Sequence, residues 1–226
     1  MKLGVLYSGG KDSTLALIKA KEQHKITCLI TLISVNNESY MFHTPNIDIT
    51  SLQAQAMHLP LVRVETAGEK EHELADLKKA LALAQKKYNI EGVVTGAIRS
   101  TYQASRIQQA CHELGIWCFN PLWLLDQEQL LHIVVASNIT AIISGVFAEP
   151  LDESFLGKKL DLHLITQLCM LARKHSFNPA GEGGEIETTV LDAPVFHKKI
   201  LIENTSNSYQ NHAGTYTITA ARLALK

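Results

Sequence analysis

Tyr7-Ser8-Gly9-Gly10-Lys11-Asp12-Ser13 joins a short apolar run, Leu3-Gly-Val-Leu-Tyr7, to a helical pattern with apolar residues at Leu15, Ala16, Ile18 and Ala20. The order predicts a buried strand that passes through a Gly-Gly turn straight into a helix N-terminus. Such a junction attracts anions, because the first N–H groups of a helix lack partners and together carry about half a positive charge. Gly9 and Gly10 permit backbone conformations that a Cβ would forbid and allow a phosphate to approach closely. Lys11 adds a cation, Ser8 and Ser13 add hydroxyl donors, and Asp12 is placed to hold a magnesium ion. The chemistry implied is phosphate handling. A ligand-free strand-turn-helix junction would leave this density of glycine, serine and charge unexplained.

Two neighbouring phosphate motifs do not fit. A Walker A loop requires G-x-x-x-x-G-K-[ST], and a dinucleotide fingerprint requires G-x-G-x-x-G. The stretch Ser8-Gly-Gly-Lys-Asp-Ser13 resembles the pyrophosphate loop of the N-type ATP pyrophosphatases. That resemblance implies cleavage of ATP between its α and β phosphates, with adenylation of a substrate.

Working outward, strand and helix patterns alternate. Ile26–Val35 is apolar and β-branched on both faces and reads as a central parallel strand. The segment 36–46 is a loop at that strand's C-terminal end, where open α/β sheets place ligands, and it contains Tyr40-Met-Phe-His43. A helix over 47–59 ends at Pro60, and Leu61–Val64 is a short strand. The charged, amphipathic helix over 69–87 needs only a solvated face. Gly92–Ile98 is a strand with Gly96 at its exit, leading into the helix that carries Arg99 and Arg106. Both arginines are candidates to clamp a polyphosphate bidentately, or else to pair across the surface. Ile116–Phe119 is a further strand, Asp126 caps the next helix, and Ile139–Val146 reads as the last strand of the alternation. Glu149 then lies near the same sheet edge as the glycine-rich loop.

The alternation breaks near residue 148. A turn-rich connector and a helix over 160–175 precede Ala180-Gly-Glu-Gly-Gly-Glu-Ile-Glu-Thr-Thr189, and short antiparallel strands follow. The expected fold is therefore α/β: a twisted parallel sheet with helices on both faces over 1–148, plus a smaller α+β unit over 149–226. Glu182, Glu185 and Glu187 form a second chemical cluster. Carboxylates on a glycine-rich turn can bind magnesium, grip a cationic group or accept a proton, and an exposed acidic hairpin turn is the plain alternative.

Composition bounds the partners. The formal charge is −1, with 21 Lys and Arg against 22 Asp and Glu, so no overall field draws nucleic acid or an anionic membrane. No apolar run reaches the ~18 residues of a membrane span, and residues 1–20 lack the layout of a signal peptide. Cys28, Cys111, Cys118 and Cys169 form no C-x-x-C pair. Each is expected as a buried, reduced thiol suited to the cytoplasm. The missing pair also argues against a tRNA-thiolating enzyme.

Further stretches are similar to the diphthine–ammonia ligase family. They are Glu38-Ser-Tyr-Met-Phe-His-Thr-Pro-Asn46, Gly96-Ala-Ile with Tyr102-Gln103 and Ser105-Arg-Ile107, and Pro121-Leu-Trp123. Leu151-Asp-Glu-Ser154 and Gly181-Glu-Gly-Gly-Glu-Ile-Glu-Thr188 complete the set. The resemblance runs from end to end and implies an adenine nucleotide alpha hydrolase-like fold. It implies ATP-dependent amidation of the diphthine carboxylate on translation elongation factor 2, with magnesium as cofactor, ammonia as nitrogen donor, and AMP and pyrophosphate as products. Catalysis would fall to Lys11, Asp12 and Glu185, with magnesium on Asp12. ATP would be held by Ser8, Gly9, Gly10, Lys11, Asp12, Ser13, Gly96, Arg99 and Arg106. The substrate would meet Tyr40, His43, Tyr102, Gln103, Glu149, Glu182, Gly183, Gly184, Glu185 and Glu187. An aromatic cage from Tyr40, Phe42 or Trp123 could add to its recognition. A homodimer is compatible with this reading. Amidation of a small-molecule carboxylate, or a non-catalytic nucleotide-binding module of the universal-stress type, are the alternatives. Arg99 and Glu149-Pro150 depart from the family's expected residues.

Overall fold

The structure is a computed structural model that describes residues 1–34, 45–68 and 72–226. Tyr40, Phe42 and His43 lie outside the described residues. Strand β1 (Lys2–Leu6) enters the glycine-rich turn, and helix α1 (Lys11–Lys21) leaves it. There follow β2 (Lys25–Ser34), α2 (Thr50–Met57), β3 (Leu61–Thr66), α3 (His72–Tyr88), β4 (Gly92–Val94), α4 (Thr101–Glu113) and β5 (Trp117–Phe119). These five strands form one sheet in the order β3-β2-β1-β4-β5, with every pairing parallel.

Both faces of this sheet are covered. Leu77, Ala80, Leu81 and Ala84 of α3 pack with Ile107, Ala110 and Cys111 of α4 over Cys28, Ile30 and Val93 on one side. On the other, Leu15, Ala16 and Leu17 of α1 pack on Leu3, Val5 and Leu29 in a core that continues into the second half of the chain. Each face buries apolar side chains at alternate strand positions, the main source of stability for an α/β sheet.

The chain then forms α5 (Gln127–Ala136), β6 (Thr140–Val146), α6 (Leu162–His175), β7 (Ile186–Asp192), β8 (Lys199–Gln210) and β9 (Ala213–Ala224). Strand β6 was expected to close the parallel sheet and does not. It is an inner strand of a separate antiparallel sheet ordered β7-β6-β9-β8. The run Thr140-Ala-Ile-Ile-Ser-Gly-Val146 is buried almost throughout, so its apolar pattern suits an inner strand of either sheet. The sequence carried no signal for which neighbour it would pair with. The four cysteines are free, and Cys118 is half-buried rather than buried as expected.

Chain order reverses between β1 and β4. The chain moves outward from β1 through β2 to β3, then returns to the far side of β1 with β4 and β5. The carboxyl ends of β1 and β4 therefore flank a topological switch point, the place where open α/β sheets bind ligands. The glycine-rich turn follows β1 there, and Gly96 follows β4.

Candidate active site

Strand β1 is steered into its turn by Tyr7. Its N–H donates to the Ile30 carbonyl at 2.8 Å, its carbonyl accepts from Thr31 Oγ1 at 2.7 Å, and its phenol meets Thr14 Oγ1 at 3.0 Å. Burial pushes the phenol well above the usual tyrosine range. Gly9 then adopts φ +83°, and a Cβ there would lie 2.6 Å from Gln53 Oε1, so only glycine fits. Gly10 is the N-cap of α1, and its carbonyl accepts from the Ser13 and Thr14 hydroxyls at 3.2 and 2.9 Å. The Ser8 hydroxyl, exposed at the loop's tip, lies 3.2 Å from that of Ser13.

Lys11 is 3% exposed. Its ammonium donates to Asp12 Oδ2 at 2.9 Å and to the Ala180 carbonyl at 2.5 Å. Its backbone N–H donates to Thr188 Oγ1 at 3.1 Å. One step further along, the Val190 N–H donates to the Gly9 carbonyl at 2.9 Å. Strand β7 and the segment before it are thus hydrogen-bonded to the glycine-rich loop. The two clusters that stand far apart in sequence form one site.

Glu182 reaches across from that segment to α4. Its Oε1 accepts from the backbone N–H groups of Arg99 (2.8 Å) and Ser100 (2.7 Å), at the positive end of the helix. Burial nevertheless raises its carboxyl, against the pull of those two N–H groups, with Asp12 adding to the rise and Lys11 opposing it. Glu185 is spent on its own loop: Oε1 accepts from the Asn178 N–H at 3.0 Å and Oε2 from the Gly183 N–H at 2.8 Å. Gly184 takes φ +86° beside it. Glu187, pairing with Gly145 in the second sheet, faces Lys11 and Asp12. Burial pushes its carboxyl up to about 7, opposed by Lys11 and assisted by Asp12.

That shift has a thermodynamic consequence. A free glutamate ionises near 4.5, so between about 4.5 and about 7 the folded chain holds a proton that the unfolded chain has released. The contribution of Glu187 to stability is greatest below that window and declines as pH rises through it. Glu187→Gln should remove this decline. Denaturant midpoints of the two proteins, measured across the window, should differ progressively in the variant's favour as pH rises; a constant difference would contradict the burial of this carboxyl.

The β4 side of the site closes on α1. A Cβ on Gly96 would lie 2.8 Å from Ser13 N and 3.0 Å from the Asp12 carbonyl carbon, both backbone atoms that cannot swing aside. Thr95 holds this turn by donating to Asn120 Oδ1 at 2.6 Å and accepting from the Ala97 N–H at 3.1 Å. Gly96→Ala should push back the start of α1, costing about 1–3 kcal/mol of stability and about tenfold in ATP affinity. Thermal melting and ATP calorimetry check this, and unchanged ATP affinity would show that the loop tolerates the displacement.

The remaining candidates are placed as follows. The Arg99 side chain is exposed, and Arg106 stacks its guanidinium 3.5 Å from the centre of the Tyr102 ring on α4. The Gln103 N–H donates to Ser100 Oγ at the same helix start. Glu149 is exposed in the turn after β6, and Trp123 is half-buried. Four residues to which the sequence reading gave no individual role complete the site's frame: Gln53, Ala180, Thr188 and Asn46. Asn46, just ahead of α2, is fastened to the second sheet, donating to Thr189 Oγ1 and the Tyr216 carbonyl and accepting from the Ile218 N–H. Gln53 had a readable signal, an amide on a helix face shared with Thr50, Ala54, Ala56 and Met57.

Among the described residues no group of three or more His, Cys, Asp or Glu side chains is gathered to hold a metal ion. Magnesium does not require one, since it binds through one or two carboxylates together with phosphate oxygens. Asp12 suits that arrangement, because its Oδ1 is buried with no hydrogen-bond partner among the described residues.

Comparison with known proteins places the chain in a family. Residues 1–118 match the family model for the diphthamide synthase N-terminal domain, and residues 126–224 match that for the C-terminal domain. Mouse diphthine–ammonia ligase is 38% identical over 224 residues, covering 90% of this chain and 84% of the relative. The human protein of that name is 36% identical over 224 residues with the same coverage. The Schizosaccharomyces pombe protein is 35% identical over 219 residues, covering 89% of this chain and 36% of its own length. With both domain models matched in order and more than four-fifths of the mammalian relatives covered, this chain belongs to the diphthine–ammonia ligase family of diphthamide-forming enzymes.

Proposed function

We propose that the chain is an ATP-dependent ligase that amidates the diphthine carboxylate of translation elongation factor 2 with ammonia, releasing AMP and pyrophosphate. The observation that carries this reading is the joining of the glycine-rich loop to β7 through Lys11, which sets a phosphate-binding turn and an acidic strand in one site. A carboxylate is a poor acyl donor, and transfer of AMP to it supplies a leaving group that ammonia can displace.

In this reading the loop 8–13 with Gly96 receives the β and γ phosphates, and Lys11 offsets the charge that develops on the departing pyrophosphate. Magnesium on Asp12 would supply further charge neutralisation of the phosphates. Residues up to about 148 serve chiefly the nucleotide, and those beyond it the acyl substrate. Diphthine carries a quaternary ammonium beside its carboxylate. Glu182 and Glu187, together with Tyr40 and His43, would provide the negative and aromatic surroundings that such a cation prefers. Gly183, Gly184 and Glu185 shape the turn that presents them. In this reading Arg99, just ahead of α4, and Arg106 of α4 would add positive charge for the phosphates, while Tyr102 and Gln103 of α4 and Glu149 would meet the acyl substrate.

Among the described residues no helix is long and apolar enough to cross a membrane. A reaction on a translation factor belongs in the cytoplasm. The purified chain, given ATP, magnesium, ammonium and diphthine-bearing elongation factor 2, should release AMP and pyrophosphate in step with amide formation. Release of ADP and phosphate, or an absolute requirement for glutamine, would place it in another class.

A further inference from the structure

We propose that Gln53 is a positioning residue that locks the Gly9–Gly10 peptide with its N–H turned toward the leaving pyrophosphate. The proposal rests on the adenylation reading above and assigns a task to a side chain outside the glycine-rich motif.

Gln53 sits on α2 and is fully buried. Both protons of its amide are used: Nε2 donates to the Gly9 carbonyl at 2.9 Å and to the Val190 carbonyl at 2.8 Å. Gly9 is therefore gripped from two sides, since the Val190 N–H also donates to its carbonyl at 2.9 Å. In a trans peptide the C=O and the following N–H point in opposite directions. Fixing the Gly9 carbonyl against β7 and α2 thus aims the Gly10 N–H the other way, toward the Ser8 hydroxyl, which it reaches only at 3.5 Å. That N–H remains available for a better acceptor.

A peptide between two glycines has little to hold its orientation, because neither residue has a Cβ to bias its torsions. Were it to flip, the Gly9 carbonyl would face the phosphates and repel them. The Val190 N–H alone restrains the flip with one hydrogen bond; Gln53 adds a second and ties it to the strand that bears Glu187. Its own Oε1 has no hydrogen-bond partner among the described residues, and it lies 2.6 Å from where a Gly9 Cβ would stand. Leaving a buried acceptor unpaired costs about 1–3 kcal/mol. The packing tolerates that cost while placing Nε2 between the two carbonyls.

The test uses inorganic pyrophosphate and adenosine as separate calorimetric probes on the wild type, Gln53→Met and Gln53→Glu. Gln53→Met keeps the volume and removes both donations. It should lose about tenfold or more in pyrophosphate affinity while adenosine affinity stays within about twofold. Gln53→Glu keeps the shape, and only its protonated form can donate. Its pyrophosphate affinity relative to wild type should rise as pH is lowered from about 9 to about 6. Equal weakening of both probes, or a lower melting temperature with pyrophosphate binding unchanged, would overturn the positioning role. Should Gln53→Met not fold, the pH dependence of Gln53→Glu decides, and a flat ratio to wild type would overturn it. A wild-type protein that binds adenosine but no pyrophosphate would instead overturn the adenylation reading, and this proposal with it.

Discussion

Lys11→Ala lowers the rate of AMP formation by about 10²–10³-fold, the usual cost of removing one preorganised donor from the site of developing charge. The lysine is nearly fully buried, and the structure fixes its ammonium between Asp12 and the Ala180 carbonyl. It therefore does not reorganise as the pyrophosphate departs, and a flexible surface lysine could not substitute for it. The same change cuts the side-chain link between the glycine-rich loop and the segment leading to β7. Amidation is lost together with AMP formation, since no acyl-adenylate forms. Single-turnover measurement of AMP and amide should show the two falling together; AMP formation at the wild-type rate would remove Lys11 from the chemistry.

Glu185→Gln should behave differently. Its two carboxylate oxygens receive the N–H groups of Asn178 and Gly183, so the glutamate holds closed the turn that carries Glu182. A glutamine presents one oxygen and one amide, and the amide meets a donor where it needs an acceptor. The turn loosens, Glu182 loses its fixed approach to the Arg99 and Ser100 N–H groups, and the acyl substrate is no longer oriented. ATP affinity should stay within a few-fold, because the glycine-rich loop keeps its bonds to Thr188 and Val190. Amidation should drop about 10²-fold. Calorimetry with ATP beside single-turnover amidation separates the two effects. An equal loss of ATP affinity in Lys11→Ala and Glu185→Gln would make the acidic turn part of the nucleotide site.

Much of this arrangement is legible in the chain because its signals are local. The strand-to-helix junction at Ser8–Ser13, the second junction at Gly96 and the apolar period of β2 each declare themselves within a few residues. Relations that depend on partners do not. The run from Thr140 to Val146 has the apolar character of an inner strand, and nothing within it distinguishes parallel neighbours from the antiparallel β7 and β9 that it meets. The three glutamates of the 182–187 turn look alike in sequence. Their different surroundings, a helix N-terminus for Glu182, loop N–H groups for Glu185 and the Lys11–Asp12 ion pair for Glu187, arise only when β7 docks against α1. Thr188 and Gln53 are polar residues at buried positions whose partners lie 177 and 137 residues away in the chain.

The most direct test of an acyl-adenylate at this site is the fate of oxygen. Elongation factor 2 bearing diphthine with ¹⁸O in its carboxylate is incubated with the enzyme, unlabelled ATP, magnesium and ammonium, and the phosphorus products are analysed by mass spectrometry. Attack of the carboxylate on the α phosphorus, followed by displacement by ammonia, leaves one labelled oxygen in AMP and none in pyrophosphate. Label in inorganic phosphate, or AMP free of label while the amide accumulates, would contradict the account.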